Sequence, residues 1–217
     1  QKYTSTPLSS IMYSNTSYKY SALFLKEHPE FDCKEILSGG SRRYLASSVF
    51  EKMPEVFTDK KIDSNSVKIL GLINNKRVFK YFDKRYLNPP ENFENYKVLV
   101  PSSNGSGALG EALSTPMIGT PMIGTPMIGH TETFISFGNF RDEKQAKNLL
   151  KYIKTKFARL MLGTKKVTQG NKTPKTWMNV PLQDFTERSD IDWSKSIPEI
   201  DQQLYKKYNL TEAEINF

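Results

Sequence analysis

The pentapeptide Thr-Pro-Met-Ile-Gly occurs three times in succession, at 115–119, 120–124 and 125–129. Proline at that period removes a backbone donor and clashes with the preceding helical turn. It is equally unsuited to a central strand. Glycine at the same period resists both elements through its conformational freedom. Five residues is also far shorter than the periods of solenoid repeats. The segment reads as a surface loop lengthened by duplication, either a binding loop or a neutral insertion. It joins a strand near Val100 to another near Phe134. Loop closure entropy grows slowly with length, so copies should be removable at little cost.

The flanks of that loop carry the rest of the fold. Residues 67–74 and 77–82 are β-prone on either side of Asn74-Asn75-Lys76, which predicts a hairpin. Tyr-Lys-Val-Leu-Val at 96–100 is a short apolar strand ended by Pro101, and 132–137 alternates as a second strand. A last strand is expected at 177–180. The strongest helix is 142–162, with Ala146, Leu149, Leu150, Ile153, Phe157, Leu160 and Met161 on one face. Asp142 and Glu143 suit its first turn and Gly163 its C-terminal end. Further helices are expected at 44–53 and 197–208, and Thr211 with Glu214 forms a capping box. The expected fold class is α/β in the α+β sense. A mixed or antiparallel sheet carries packed helices, with one unit at 1–185 that includes the repeat loop 115–129 and a helical C-terminal extension at 186–217.

The chain has 217 residues, with 37% hydrophobic and 12% aromatic side chains, enough for one or two cored units. Cys33 is the single cysteine, so an internal disulfide framework is excluded. With His28 and His130 it makes three soft ligands, short of the roughly four that a structural zinc site takes. No apolar run approaches roughly 18 residues and no leader pattern opens the chain, so a membrane role is not expected. The chain starts at Gln1 rather than Met, which suggests a piece of something longer.

Charge is unevenly placed. Residues 141–177 carry eleven Lys/Arg against two acids, whereas 178–217 carry eight acids against four bases. A concentrated basic segment suits a polyanion, most commonly nucleic acid; solvated helix faces are the plain alternative.

Catalytic motifs are sparse. Neither histidine has a nucleophile at motif spacing, and no GxxxxGK[ST] or GxGxxG occurs. Asn88-Pro89-Pro90 continues with Glu91 where adenine methyltransferases need an aromatic to stack on the flipped base. Asp32-Cys33-Lys34 and Asp59-Lys60-Lys61 match a nuclease spacing, but a lysine-rich chain produces such matches by chance. By itself the chain reads as a binding module.

Three stretches carry a resemblance. The first is 96–107 (YKVLVPSSNGSG) with Gly110-Glu111. The second is Thr131-Glu132-Thr133-Phe134-Ile135 leading to Phe137-Gly138-Asn139-Phe140, then Tyr152-Ile153-Lys154-Thr155-Lys156-Phe157. The third is Val167-Thr168-Gln169, then Val180-Pro181-Leu182-Gln183-Asp184-Phe185, then Leu204-Tyr205-Lys206-Lys207-Tyr208. From about residue 96 onward the chain resembles the C-terminal target-recognition region of adenine-specific DNA methyltransferases of type II, type IIG-like restriction-modification systems. The duplicated pentapeptide departs from that pattern, in which the loop is shorter. The resemblance implies double-stranded DNA as partner and an upstream methyltransferase domain that uses S-adenosylmethionine. It further implies an endonuclease with magnesium in the parent, and a bacterial cytoplasmic setting. The other reading is a standalone nucleic-acid-binding protein with no enzymatic parent.

Base reading needs Arg for guanine and Asn or Gln for adenine, and register needs cations on phosphates. Residues 163–176 supply four lysines, Gln169 and Asn171 with no acid. Lys151, Lys154, Lys165, Lys166 and Lys172 are the expected phosphate contacts. Gln169, Asn171, Arg42 and Arg43 are the expected readers. Lys97, Asn104, Ser106 and Thr168 complete the expected DNA-binding set. No residue of the chain is expected to be catalytic or to hold a metal.

Overall fold

A computed structural model of the chain describes residues 5–31, 37, 43–103, 122–124, 127–166 and 168–216. Its strands are β1 (Met12–Tyr13), β2 (Lys19–Tyr20), β3 (Ser66–Ile73), β4 (Lys76–Asp83), β5 (Leu87–Asn88), β6 (Tyr96–Pro101), β7 (Met122–Gly124), β8 (Ile128–His130) and β9 (Phe134–Phe140). Its helices are α1 (Ala22–Glu27), α2 (Val49–Lys52), α3 (Glu143–Lys154), α4 (Lys156–Gly163), α5 (Pro174–Trp177), α6 (Ile197–Lys207) and α7 (Glu212–Asn216). The expected mixture of antiparallel and mixed sheets with packed helices is what the chain forms.

The central sheet has the order β1-β9-β6-β7, antiparallel throughout. Alternation along its strands sorts its two faces. Val98, Val100, Ile135 and Phe137 join Leu149, Tyr152 and Ile153 of α3 in the larger core. Leu99 and Phe134, one residue out of phase, join Leu70 and Ile128 on the opposite side. Helices thus cover one face, and a second lobe covers the other.

That second lobe is built from residues 18–93. Tyr18, Tyr20, Phe24, Phe50, Phe57, Val67, Ile69, Phe82 and Phe93 fill its core. Phe82 and Phe57 stack with centroids 4.6 Å apart. Its main sheet has the order β4-β3-β8, and β2 pairs with β5 across its neck. The expected hairpin is present: β3 and β4 pair in continuous register from Ser66↔Asp83 to Ile73↔Lys76. Asn74 and Asn75 close it with φ of 50° and 59°, the left-handed pair that a two-residue hairpin turn requires.

Several expectations are corrected. The repeats are not wholly a surface loop. Met122–Gly124 of the second copy pairs with β6, and Ile128–Gly129 of the third copy begins β8, which runs parallel to β3. β7 lies at a sheet edge and neither strand contains the proline, so the chain keeps Pro out of the ladders while using Met-Ile-Gly within them. The first copy lies outside the described residues.

The expected single helix at 142–162 is two. Thr155 is extended at ψ 151° and caps α4, accepting from Ala158 N at 3.1 Å. Asp201 of α6 accepts from the amides of Lys156 and Phe157, both at 2.9 Å. Free helix-start donors are thereby satisfied from a distant element. The helix expected at 44–53 shrinks to α2, because the backbone of Tyr44 and Leu45 pairs with 18–19 instead. The strand expected at 177–180 does not form: Trp177 ends a helical turn led by Pro174, and 178–180 are turn and bend.

The boundary expected at 185 does not mark a break in packing. Ile191, Trp193, Ile200, Leu204, Tyr205 and Tyr208 share one core with α3, α4 and the central sheet. Residues near the start belong there as well: Leu8 is fully buried, and its amide donates to the Val180 carbonyl at 2.7 Å.

Candidate nucleic-acid interface

The loop between α4 and α5 is held by an anchor that the sequence places only six residues further on. Trp177 is 1% exposed and meets Phe137 edge-on at 4.6 Å. Its indole N–H donates to the Asn171 carbonyl at 2.7 Å. The Asn171 amide donates to the Ser102 carbonyl at 2.7 Å, and its side-chain Nδ2 donates to the Pro101 carbonyl at 3.3 Å. Gly170 bridges Ser103. The loop is thus stapled at Gly170 and Asn171 to the C-terminal end of β6.

Lys165, Thr168, Gln169 and Lys172 are exposed on this frame. Asn104 and Ser106 follow directly on Ser103 in sequence but, like Arg42, lie outside the described residues. Thr168, Gln169 and Lys172 therefore flank the pinned Gly170-Asn171 at the C-terminal end of β6, and Lys165 follows α4.

Others are placed elsewhere. Asn171 is fully buried and acts as the loop's structural pin, so base reading from it is not available in this arrangement. Lys166 is 7% exposed. Lys97 is fully buried: its Nζ donates to the carbonyls of Asn92, Phe93 and Asn95 at 3.0, 3.0 and 3.2 Å. It closes the end of the short 3-10 helix Glu91–Glu94 and is no phosphate contact. Burial pushes its ammonium pKa down to about 7, whereas the three carbonyls favour the charged form. Arg43 sits in the second lobe at φ 43°, with its carbonyl accepting from Tyr20 N at 2.9 Å.

The lysine stripe of α3 faces the acidic end of the chain. Lys144 pairs with Glu187 and Lys147 with Glu143. Lys151 donates to the carbonyls of Trp193 and Lys195 at 2.7 and 3.0 Å. One ion pair, Lys144 with Glu187, joins the basic and acidic stretches seen in the sequence; Lys154 is exposed at the end of α3.

Sequence reasoning passed over a second basic element. Residues 66–85 contain six Lys/Arg and one acid. Averaging charge over the first 140 residues hides this cluster. On the hairpin, Asn74, Asn75, Lys76, Arg77 and Phe79 are all exposed. Lys68 Nζ stands 5.8 Å over the Phe79 ring. The Arg77 guanidinium lies 5.6 Å from the Phe134 ring centre. Phe134 is in register with Pro101, whose carbonyl holds Asn171. Hairpin and basic loop therefore both lie near the Phe134–Pro101 end of the central sheet.

Among the described residues, no group of three or more His, Cys, Asp or Glu is placed to hold a metal ion. No described helix is long and apolar enough to cross a membrane. No family model, curated protein or solved structure matches the chain.

Proposed function

We propose that this chain is the double-stranded-DNA recognition part of a restriction-modification adenine methyltransferase, fused to an endonuclease in its parent and working in a bacterial cytoplasm. The observation that carries the reading is the stapled loop at 164–173. It carries exposed Lys165, Gln169 and Lys172, is pinned to the end of β6 at Gly170 and Asn171, and contains no acid. Cations there neutralise phosphates and fix register, while neutral polar side chains meet base edges. The chain's own task is binding. S-adenosylmethionine and magnesium belong to the parent's upstream methyltransferase and nuclease parts in this reading.

Binding of duplex DNA by the chain, titrated against salt, tests it. Lys165→Ala and Lys172→Ala are each expected to weaken all sequences alike and lower the salt slope by roughly one unit. Unchanged affinity and slope in both variants count against the loop as an interface. Saturable binding of S-adenosylmethionine to the isolated chain, read by calorimetry, counts against the division of labour.

A further inference from the structure

We propose that the β3–β4 hairpin enters the DNA major groove tip first, with Asn74, Asn75 and Arg77 reading base edges and Lys68 and Lys76 on the flanking phosphates. This rests on the DNA reading above and extends it to an element to which sequence patterning assigns no binding role.

Size comes first. The ladder between β3 and β4 continues three rungs past Leu70, the last β3 residue paired with β8: Gly71↔Val78, Leu72↔Arg77 and Ile73↔Lys76. Gly71 is buried and Leu72, Ile73 and Val78 are half-buried against the neighbouring cores, so the exposed part is the turn with its flanking residues, Asn74 to Arg77, on paired strands about 5 Å apart. The major groove is about 8.5 Å deep and about 12 Å wide, and it admits a two-stranded ribbon.

The chemistry of the tip points the same way. A turn with two left-handed residues is most cheaply made as Asn-Gly. Here the second position is Asn75 at φ 59°, so a second exposed amide is kept where glycine is the easier residue. Asn pairs bidentately with adenine and Arg with guanine. All of Asn74, Asn75, Lys76 and Arg77 are exposed, as is the aromatic Phe79. Arg77 sits against Phe134 at the end of the sheet where the stapled loop also lies. Loop and hairpin then grip one duplex together, the loop on the backbone and the ribbon in the groove.

The test uses the full chain and a randomised 30-base-pair duplex library, followed by titration of the selected site and of random duplex. Asn75→Gly keeps the left-handed turn, and Arg77→Gln keeps a polar side chain at an exposed position, so both should melt like the parent chain. Each is expected to weaken the selected site between about 5-fold and about 150-fold and to relax selection at one or two positions. Random duplex should change by less than about 2-fold. Folded variants that select the same site with the same affinity overturn the hairpin proposal. If Lys165→Ala still weakens binding in that case, the DNA reading stands without it. No duplex binding by the parent chain at low salt overturns the DNA reading and the hairpin with it. Tighter binding of single strands than duplex overturns the groove geometry.

Discussion

His130 is fully buried, its Nδ1 3.0 Å from the Thr131 carbonyl and its ring edge-on to Tyr18 at 4.5 Å. Burial lowers its pKa to about 4, from an ordinary 6.5. Between those values the unfolded chain binds a proton that the folded chain refuses. Stability is therefore intact above pH 6.5 and falls as pH drops toward 4, by about 3 kcal/mol from this group. Urea unfolding of the parent chain and of His130→Leu at both pH values measures the difference; equal acid losses contradict the assignment. Lys97 acts in the alkaline range. Its folded pKa of about 7 lies below the unfolded 10.5, so stability rises with pH between the two. Lys97→Met should abolish that rise and strand three carbonyls, at a cost of about 1–3 kcal/mol at neutral pH. DNA affinity of the folded variant should not change, which separates an interior role from a phosphate contact. Nothing in sequence distinguishes Lys97 from a surface lysine, because its carbonyl partners form only when the short 3-10 helix folds back beside it.

At the scale of elements, alternation was a sufficient guide where neighbours in sequence decide the outcome. β3, β4, β6 and β9 lie where their patterns predict, and the two-Asn turn lies between the predicted strands. Where remote residues decide, local reading stopped short. Thr155 ends α3 because Asp201 caps the next helix, and 174–177 curls because Trp177 reaches the core. Of the proposed interface, the stapled loop was legible from charge, whereas the hairpin was not, since strand propensity and a wide charge average concealed its four cations. The repeats show the limit most sharply. Identical Met-Ile-Gly triplets occupy an antiparallel edge in β7 and a parallel position beside β3 in β8, so pairing partners select the structure. Removing any one copy yields the same sequence and leaves a triplet for each strand. That deletion should change stability by less than about 1 kcal/mol. Removing two leaves one triplet for two strands and one buried Ile128 site or its edge partner unfilled; a loss of about 2–5 kcal/mol is expected. Thermal unfolding of both deletions checks this, and equal small effects contradict the strand roles.

Over the whole molecule, the segment expected as a C-terminal extension is part of the main core. Ending the chain after residue 185 removes Ile191, Trp193, Ile200, Leu204, Tyr205 and Tyr208 from it. Each large buried side chain is worth about 1.5–3 kcal/mol, and total stability is only about 5–15 kcal/mol. The shortened chain should lose cooperative unfolding of the helical layer, followed by circular dichroism; a sharp transition near the parent's contradicts this. The second lobe is organised differently. Chain leaves the central sheet after β1 and returns before β6, and between them β2 and β5 pair as Lys19↔Asn88 and Tyr20↔Leu87. Exit and entry are thus adjacent strands. β8 joins the lobe's main sheet by main-chain pairing, which tolerates many side chains. In genetic terms, all of this lobe except β8 is one uninterrupted stretch of coding sequence with matched ends, so under the proposed DNA-recognition function a new specificity would be acquired by recombining that stretch into an unchanged frame.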